Sequence, residues 1–198
     1  MSLFFACLFS YLIGSIPNGL ILGKLLWNID LREYGSHNIG ATNAWRTLGK
    51  GPGLLIFFLD FFKGVIGVWL GSMVSGTPIS LVLVGIFAIL GHSCSLFLHF
   101  KGGKGVATGL GVIAMLMPQT TIVIFLLWLI IVYLTRYVSL ASIIAAAGVP
   151  LFTWWANAPV EYITFGAVAA VFVIYRHKTN IKRLLNGTES KIKAGKRP

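Results

Sequence analysis

Acidic side chains are scarce in this sequence, which holds 5 Asp and Glu against 16 Lys and Arg in 198 residues. Phosphoryl transfer with magnesium needs closely placed carboxylates, and the chain has no such Asp pair. No carboxylate follows a nucleophile signature, so a Ser–His–Asp triad has no good candidates. These two common kinds of active site are therefore excluded, and we expect no metal and no cofactor.

Cysteine is rarer still, since Cys7 and Cys94 are the only two. Both lie inside apolar runs, without CxxC spacing or a nearby second ligand. This pattern excludes a disulfide framework and a zinc site. We expect two buried, unreactive thiols.

Charged residues make up 11% of the chain, whereas hydrophobic residues make up 57% and the mean hydropathy is +0.86. A soluble domain of this size could not bury so much apolar surface. Several runs approach or exceed the roughly 20 residues that cross a bilayer core as a helix. We predict an all-α polytopic membrane protein, with a single transmembrane domain over residues 1–198.

Turn and charge signals divide the apolar residues into seven runs. The predicted transmembrane helices are about 2–23, 52–74, 79–99, 105–117, 119–135, 137–155 and 160–175, followed by a basic tail over 176–198. The first run has no basic residue before it and no small-residue cleavage site, so we expect an uncleaved helix rather than a signal peptide.

The basic residues alternate between the ends of these runs. Four follow the first span, two the third, one the fifth and eight the seventh, while the connections at 75–78, near 118 and at 156–159 have none. The positive-inside rule then puts the N-terminus outside and the tail in the cytoplasm. A single helix over 105–135 would be roughly 45 Å long and would put the tail outside, so seven spans are favoured.

The cytoplasmic loop contains "EYGSHNIGATNAWRTLGKG", residues 33–51. We predict a helix from about Ala41 to Gly49, and Gly35 and Gly40 permit positive φ angles that let backbone N–H groups converge. Short polar donors surround the helix start, namely Ser36, Asn38, Thr42 and Asn43. With Arg46 one turn further on, this pattern fits anion binding and an ordinary capped interfacial helix equally well.

The segment "HFKGGKGVATGLG", residues 99–111, surrounds Lys104 with Gly102, Gly103 and Gly105. A lysine in glycine-rich backbone suits phosphate binding. The segment is not a Walker A loop, because Lys104 is followed by glycine rather than Ser or Thr. Hydrolysis of ATP or GTP is therefore excluded.

Two polar groups fall inside predicted spans. Asp60 and Lys63 are spaced i,i+3, and we expect them to form an ion pair or to line a polar cavity. We place His92 away from the charged end of its span, either as a core histidine or as a member of a site. Three glycines on the same helix as the pair predict close helix packing, namely Gly64, Gly67 and Gly71.

Two further stretches reach the cytoplasmic face. Ser139 and Ser142 begin a helix, and His177, Asn180 and Arg183 share one stripe of the tail. The tail also fits an amphipathic helix lying on the membrane. Together with the two loops, these residues offer many cationic and amide donors, which predicts a site for more than one phosphate that opens into lipid.

Three functional classes fit this basic face. A transporter or channel for an organic phosphate or phospholipid would need polar residues that continue to the outer side, yet the later spans are apolar beyond their cytoplasmic ends. A receptor or scaffold would not need the clustered glycines and amides. The third class is an enzyme acting on phosphorylated substrates, for which a substrate with an acyl tail would fit a site that opens into lipid, and we expect no nucleic-acid partner.

The same motifs closely resemble those of the bacterial membrane-bound acyl-phosphate:glycerol-3-phosphate acyltransferases. They cover nearly the whole chain and are "GSIPNG" (14–19), "GSHNIGATNAWRTLG" (35–49), "DFFKG" (60–64), "GH" (91–92), "FKGGKGVATG" (100–109) and "RHKTNIKRLLNGTE" (176–189). Ser95 and His99 depart from the family pattern, where Pro and Gly are common. The pattern of the common glycerolipid acyltransferases, a histidine followed five residues on by Asp, is absent.

The resemblance implies transfer of a fatty acyl group from acyl phosphate to the sn-1 hydroxyl of glycerol 3-phosphate, at the cytoplasmic face of the bacterial inner membrane. The products would be lysophosphatidic acid and inorganic phosphate. Expected partners are the two substrates and membrane lipid, and the enzyme that makes acyl phosphate is a further candidate.

Carried onto this sequence, the resemblance gives each candidate residue a role. The residues expected to act in catalysis are Ser36, His37, Asn38 and Lys104. Those expected to bind acyl phosphate are Ser36, Gly40, Thr42, Asn43, Gly102 and Gly103. Those expected to bind glycerol 3-phosphate are Arg46, Lys104, Ser142, His177 and Asn180, supported by Asp60, Lys63 and His92. The proton acceptor is either a substrate phosphate or a histidine, His37 or His177.

Overall fold

The computed structural model describes residues 2–192, and within that range every regular element is helical. The α-helices are α1 (Leu3–Ser15), α2 (Asn18–Trp27), α3 (Ala41–Leu48), α4 (Lys50–Ser72), α5 (Pro78–Ser93), α6 (Val106–Leu116), α7 (Pro118–Thr135), α8 (Val138–Trp155), α9 (Val160–Arg176) and α10 (Lys178–Leu185). A 3-10 turn at Leu96–Leu98 follows α5. The all-α architecture agrees with the prediction.

Helix lengths limit how many segments can cross a bilayer. Within residues 2–192, five segments are long and apolar enough, namely Leu3–Trp27, Lys50–Ser72, Pro78–Leu98, Pro118–Thr135 and Val138–Trp155. Helices α9 and α10, bent by 60° relative to each other, could together form a sixth. Helix α6 is apolar but shorter, so the count of seven and the orientation remain predictions.

The first predicted span is not one continuous helix. Residues 2–23 form α1 and the start of α2, with a break at Ile16 and Pro17, and α2 continues to Trp27. Proline cannot donate a backbone hydrogen bond within a helix, so the helix is interrupted there. The ammonium of Lys63 donates to the carbonyl of Ile16 at 2.5 Å and so satisfies a carbonyl at this break.

Helix α4 lies at the centre of one half of the bundle, where it contacts α1, α3, α5 and α6. Helix α4 approaches α6 closely because Gly64 and Gly111 have no side chain at the contact. A Cβ on Gly64 would collide with the backbone of Thr108, and a Cβ on Gly111 would collide with that of Phe61. Gly67 similarly faces Ser10 and Ala88. The predicted packing role of these α4 glycines is thus confirmed for the two that meet another helix most tightly.

Helices α7, α8 and α9 pack side by side and form the other half. Their apolar side chains join those of α4, α5 and α6 in a continuous core that includes Val68, Val112, Ile124, Val149 and Phe165. A smaller cluster of Leu31, Ala44, Leu48 and Ile56 fixes α3 to the first turns of α4. This packing places the start of α3 beside the polar loop before α6.

Candidate active site

A cavity of about 530 Å³ opens between the two halves of the bundle. One part of its wall is apolar and includes Ile113, Ile124, Phe125, Val149 and Phe165. Another part is polar and comes from α3, the loop before α6, α8, α10 and the segment after α10. Charged and amide groups therefore line the same cavity as a wall of apolar side chains.

Most of the residues proposed from the sequence meet in this cavity. Those that line it are Ser36, Asn38, Gly40, Thr42, Asn43, Arg46, Asp60, His92, Lys104, Ser142, His177 and Asn180. His37, Lys63, Gly102 and Gly103 do not line it. His92 was expected away from the charged end of its span; this is wrong, because it is buried near the C-terminal end of α5 and shares the cavity with Lys104.

The loop before α3 is shaped by the side chain of Asn43, which is buried. Its Oδ1 accepts from the N–H of Ser36 at 2.9 Å, and its Nδ2 donates to the carbonyls of Leu31, Tyr34 and Asn38 at 2.8–3.0 Å. The sequence favoured Asn43 as a ligand-binding donor, but its amide is used by the loop itself. The side chain therefore organises the loop's backbone around the cavity.

Helix α3 begins at Ala41 and ends before Gly49, as predicted. Gly35 has a φ of +61°, whereas Gly40 has a φ of −77° that any residue could adopt, so the expected positive angle holds only at the first. The first N–H groups of a helix have no partner within it, and Ala41 and Thr42 line the cavity. The start of α3 thus offers backbone donors to an anion.

The loop that carries Lys104 is fastened to the end of α5. The N–H groups of Gly102 and Gly103 donate to the carbonyls of Ser93 and His92, both at 3.0 Å. A Cβ on Gly103 would collide with the His92 ring, so glycine is needed for this close approach. Gly102 and Gly103 therefore fix the loop that positions Lys104, and they do not form part of the cavity wall.

Arg176, at the end of α9, was not proposed from the sequence. Its Nη2 lies 2.7–3.2 Å from the carbonyls of Ser93, Gly102 and Gly103, so one guanidinium joins α9 to the same loop. The only sequence signal was its place beside His177 in the basic tail. Its three partners lie 73–83 residues before it in the sequence, so local patterns could not indicate them.

Asp60 and Lys63 form the predicted ion pair at 2.8 Å, and both side chains are buried. Asn18 also donates to Asp60, at 3.1 Å, and the Nδ1 of His92 lies 3.7 Å from the same carboxylate oxygen. Asp60 reaches the cavity wall, whereas the ammonium of Lys63 is directed to the break between α1 and α2. The pair therefore supports the helices around the cavity.

The two histidines offered as proton acceptors differ in position. The Nδ1 of His37 lies 2.9 Å from the carbonyl of Arg32 on an exposed loop outside the cavity. His177 is buried in the cavity wall, with its Nδ1 2.7 Å from the carbonyl of Val173. A carbonyl only accepts, so Nδ1 of His177 carries the proton and its Nε2 keeps the lone pair when the ring is neutral.

A chain of hydrogen bonds crosses the mouth of the cavity. Lys104 donates to the Oδ1 of Asn180 at 2.5 Å, and the Nδ2 of Asn180 donates to Glu189 at 2.8 Å. Ser139 and Arg183 donate to the same carboxylate at 2.8 and 2.7 Å. Glu189 was missed in the sequence analysis, although it is the sole carboxylate of the basic tail over 176–198.

Arg46 and Ser142, two more candidate residues, form hydrogen bonds close to the hydrogen-bonded chain from Lys104 to Glu189. The Nη2 of Arg46 donates to the carbonyl of Ser190 at 2.6 Å, while its buried Nε has no partner among residues 2–192. The hydroxyl of Ser142 donates to the carbonyl of Val138 and accepts from the indole N–H of Trp128. Arg46 therefore keeps donor capacity at the cavity.

The charges at the mouth change the titration of its groups. Burial, together with the cations Arg183, Arg46 and Arg176, lowers the pKa of Lys104 to about 8, although Glu189 opposes this change. Burial raises the pKa of Glu189, but hydrogen bonds from Arg183, Ser139 and Asn180 outweigh it and leave the pKa below its usual value. The site therefore combines an ionised carboxylate with a lysine that loses its charge in mildly alkaline solution.

Comparison with known proteins gives a consistent result. The family model described as glycerol-3-phosphate acyltransferase matches residues 4–187. The glycerol-3-phosphate acyltransferase of Fusobacterium nucleatum is 45% identical over 98% of this chain and 100% of its own. That of Carboxydothermus hydrogenoformans is 43% identical over 94% of this chain and 95% of its own.

Two solved structures of PlsY, an integral membrane glycerol 3-phosphate acyltransferase, share the fold. The glycerol 3-phosphate form is 44% identical, covers 96% of both chains and superposes with a TM-score of 0.91. The lysophosphatidic acid form is 43% identical, covers 96% of this chain and 94% of its own, and has a TM-score of 0.88. The chain is therefore an integral membrane protein, and it belongs to the glycerol-3-phosphate acyltransferase family.

Proposed function

We propose that this protein transfers a fatty acyl group from acyl phosphate to the sn-1 hydroxyl of glycerol 3-phosphate, giving lysophosphatidic acid and inorganic phosphate. The observation that carries the proposal is that cationic and amide groups adjoin an apolar wall within one and the same cavity. Such a cavity suits two phosphorylated groups and one acyl chain. The related structures in glycerol 3-phosphate and lysophosphatidic acid forms support the acceptor and the product.

In this proposal, acyl phosphate occupies the side of the cavity formed by α3 and the loop before it. Ser36, Asn38, Gly40 and Thr42 face its phosphate, which the N-terminal end of α3 also attracts. Asn43 contributes by holding the loop in shape. The acyl chain lies against the apolar wall, where its transfer from water is favourable.

Glycerol 3-phosphate occupies the side formed by Arg46, Lys104, Ser142, His177 and Asn180. Arg46 and Lys104 supply the charge, while the other three supply hydrogen-bonding groups around the glycerol. Binding there would bring the sn-1 hydroxyl towards the acyl carbon. Alignment of two bound reactants can itself account for a large part of a rate enhancement.

The reaction then needs no acyl-enzyme. The sn-1 oxygen forms a bond to the acyl carbon, the bond from that carbon to the phosphate oxygen breaks, and the hydroxyl proton passes to a phosphate oxygen or to the Nε2 of His177. Donors of α3 and Lys104 stabilise the developing negative charge. His37 is less suitable as the proton acceptor, because its ring lies outside the cavity wall.

The direct test is release of inorganic phosphate by purified protein supplied with acyl phosphate and glycerol 3-phosphate. Release should require both substrates and should match the formation of lysophosphatidic acid. When acyl-CoA or acylated acyl carrier protein replaces acyl phosphate as the acyl donor, no lysophosphatidic acid should form. Product from either thioester, or none from acyl phosphate, would contradict the proposal.

Variants of the two cations test the site. Lys104→Ala and Arg46→Ala should each lower kcat/KM for glycerol 3-phosphate roughly 10–150-fold, since each removes a charged hydrogen bond. Lys101→Ala is the matched control, because Lys101 is exposed on the same loop and should have little effect. Near-normal turnover in both site variants would show that the residues are wrongly assigned.

We also propose that the protein lies in the bacterial inner membrane with seven spans and with Lys104 on the cytoplasmic side. A cysteine at exposed Ser75 should react with an impermeant reagent in intact cells, and one at exposed Lys101 only after lysis, in a chain without Cys7 and Cys94. Labelling of position 101 in intact cells would reverse the orientation. An enzyme that makes acyl phosphate is the partner expected at this face.

A further inference from the structure

We propose that Glu189 is a positioning residue, which sets the orientation of the Asn180 amide and through it holds the Lys104 ammonium at the cavity. The inference rests on the proposed function, because Lys104 is there a ligand of glycerol 3-phosphate. Glu189 is 6% exposed and follows α10, so it reaches the cavity from the segment after the last helix. It has no role in the chemistry described above.

The orientation of Asn180 follows from its two neighbours. Lysine has only donors, so the oxygen of Asn180 must face Lys104; an ionised carboxylate only accepts, so the nitrogen must face Glu189. Both bonds are present, at 2.5 and 2.8 Å. The carboxylate therefore prevents the amide from turning its NH₂ towards the ammonium.

A glutamine at position 189 would remove this selection. Its own side chain has both a donor and an acceptor, so Asn180 could bond to it in either orientation. In the turned orientation the Asn180 NH₂ would face Lys104, and the ammonium would lose its acceptor. The substitution keeps the size of the side chain, replaces one acceptor oxygen by a donor and removes the charge.

The charge of Glu189 acts in the same direction. The cations that act on Lys104 are Arg46 of α3, Arg176 of α9 and Arg183 of α10, and His177 lies close enough for a charge interaction with it. Among residues 2–192, Glu189 is the carboxylate that favours the charged form of Lys104 against burial and these cations. Without it, the lysine would lose its proton at lower pH.

Anchoring of the terminal segment does not depend on this carboxylate alone. The N–H of Thr188 donates to the carbonyl of Arg183, that of Ile192 donates to the carbonyl of Arg136, and Arg46 donates to Ser190. These bonds use backbone groups on the segment's side and do not involve the side chain of residue 189. We therefore expect the segment to stay in place in a glutamine variant.

The experiment compares full-length wild-type protein with Glu189→Gln, and with Glu161→Gln as the control. Glu161 is a carboxylate at the other end of α9, about 22 Å along the helix axis from Arg176. Initial rates with acyl phosphate and varied glycerol 3-phosphate are measured across pH. Wild-type turnover itself tests the proposed function, so failure of the wild type and failure of the variants are distinguishable.

Glu189→Gln should raise KM for glycerol 3-phosphate so that kcat/KM falls roughly tenfold. The alkaline decline of kcat/KM, which follows the Lys104 ammonium, should move to lower pH by roughly one unit. Glu161→Gln should change neither. A variant with wild-type kcat/KM, or with lower activity at every pH and an unmoved alkaline decline, overturns the inference.

Glu189→Asp provides a second test should the glutamine variant not fold. Aspartate keeps the charge but withdraws the carboxylate by one methylene, so KM for glycerol 3-phosphate should rise while the alkaline decline moves less than one unit. Wild-type KM together with a wild-type pH profile in this variant also overturns the inference.

Discussion

Replacement of Lys63 by methionine should destabilise the protein strongly. The ammonium is buried and bonds both to Asp60, at 2.8 Å, and to the carbonyl of Ile16 at the break between α1 and α2. The variant would leave an unpaired buried carboxylate and an unsatisfied carbonyl. Loss of one partner of a buried pair costs about 3–5 kcal/mol. For a chain of 198 residues this lowers Tm by roughly 6–20 °C.

The assay is thermal unfolding of purified protein in detergent, with Lys50→Met as the matched control on the same helix. Lys50 is exposed at the start of α4, so its variant should unfold within about 2 °C of wild type, since surface substitutions change stability by less than about 0.5 kcal/mol. The double variant Asp60→Asn with Lys63→Met removes both charges and should recover part of the lost Tm. A Lys63→Met protein as stable as the control would refute the reasoning.

Three other predictions follow from the same structure. Activity of the wild type should fall as pH rises through about 8, because Lys104 then loses the charge that we propose holds a phosphate; a flat rate to pH 10 would contradict this. Gly103→Ala should lower kcat/KM, since its Cβ would displace the Lys104 loop from His92, whereas Gly51→Ala, with open space around it, should not. Gly64→Ala should lower Tm by forcing α4 and α6 apart, while Gly109→Ala should leave Tm near wild type; equal Tm values would contradict this account of the packing.

Local patterns predicted much of the architecture. Hydropathy and turn residues located the apolar helices within a few residues, and the Gly40–Gly49 segment gave both ends of α3. The interruption at Pro17 was missed because apolar runs on both sides of "GSIPNG" (14–19) outweighed the turn residues within it. Helix α6 agrees with the predicted bounds of about 105–117, but its 11 residues leave its role as a span a prediction.

The candidate site was predictable where short polar residues and glycines cluster along the chain. Ser36, Thr42 and Arg46 belong to one such stretch and do reach the cavity. Arg176 was missed because its partners lie 73–83 residues away, so nothing local distinguishes it from other cations of the tail. Glu189 was missed although it is the sole carboxylate of the tail, because its convergence with Ser139 and Asn180 is visible only in the folded chain. Asn43 was identified as a polar donor, but its use by the loop depends on carbonyls that only the folded structure brings together.

The short α6 has a consequence for how the reactants meet. Its 11 residues rise about 16 Å, little more than half of a hydrocarbon layer about 30 Å thick. The non-helical residues 99–105 precede α6 and bring Lys104 to the cavity. In the proposed function, a water-soluble acceptor would then enter the cavity beside this short helix while the donor stays dissolved in the bilayer. Turnover would accordingly depend on the mole fraction of donor in the lipid and not on its bulk concentration.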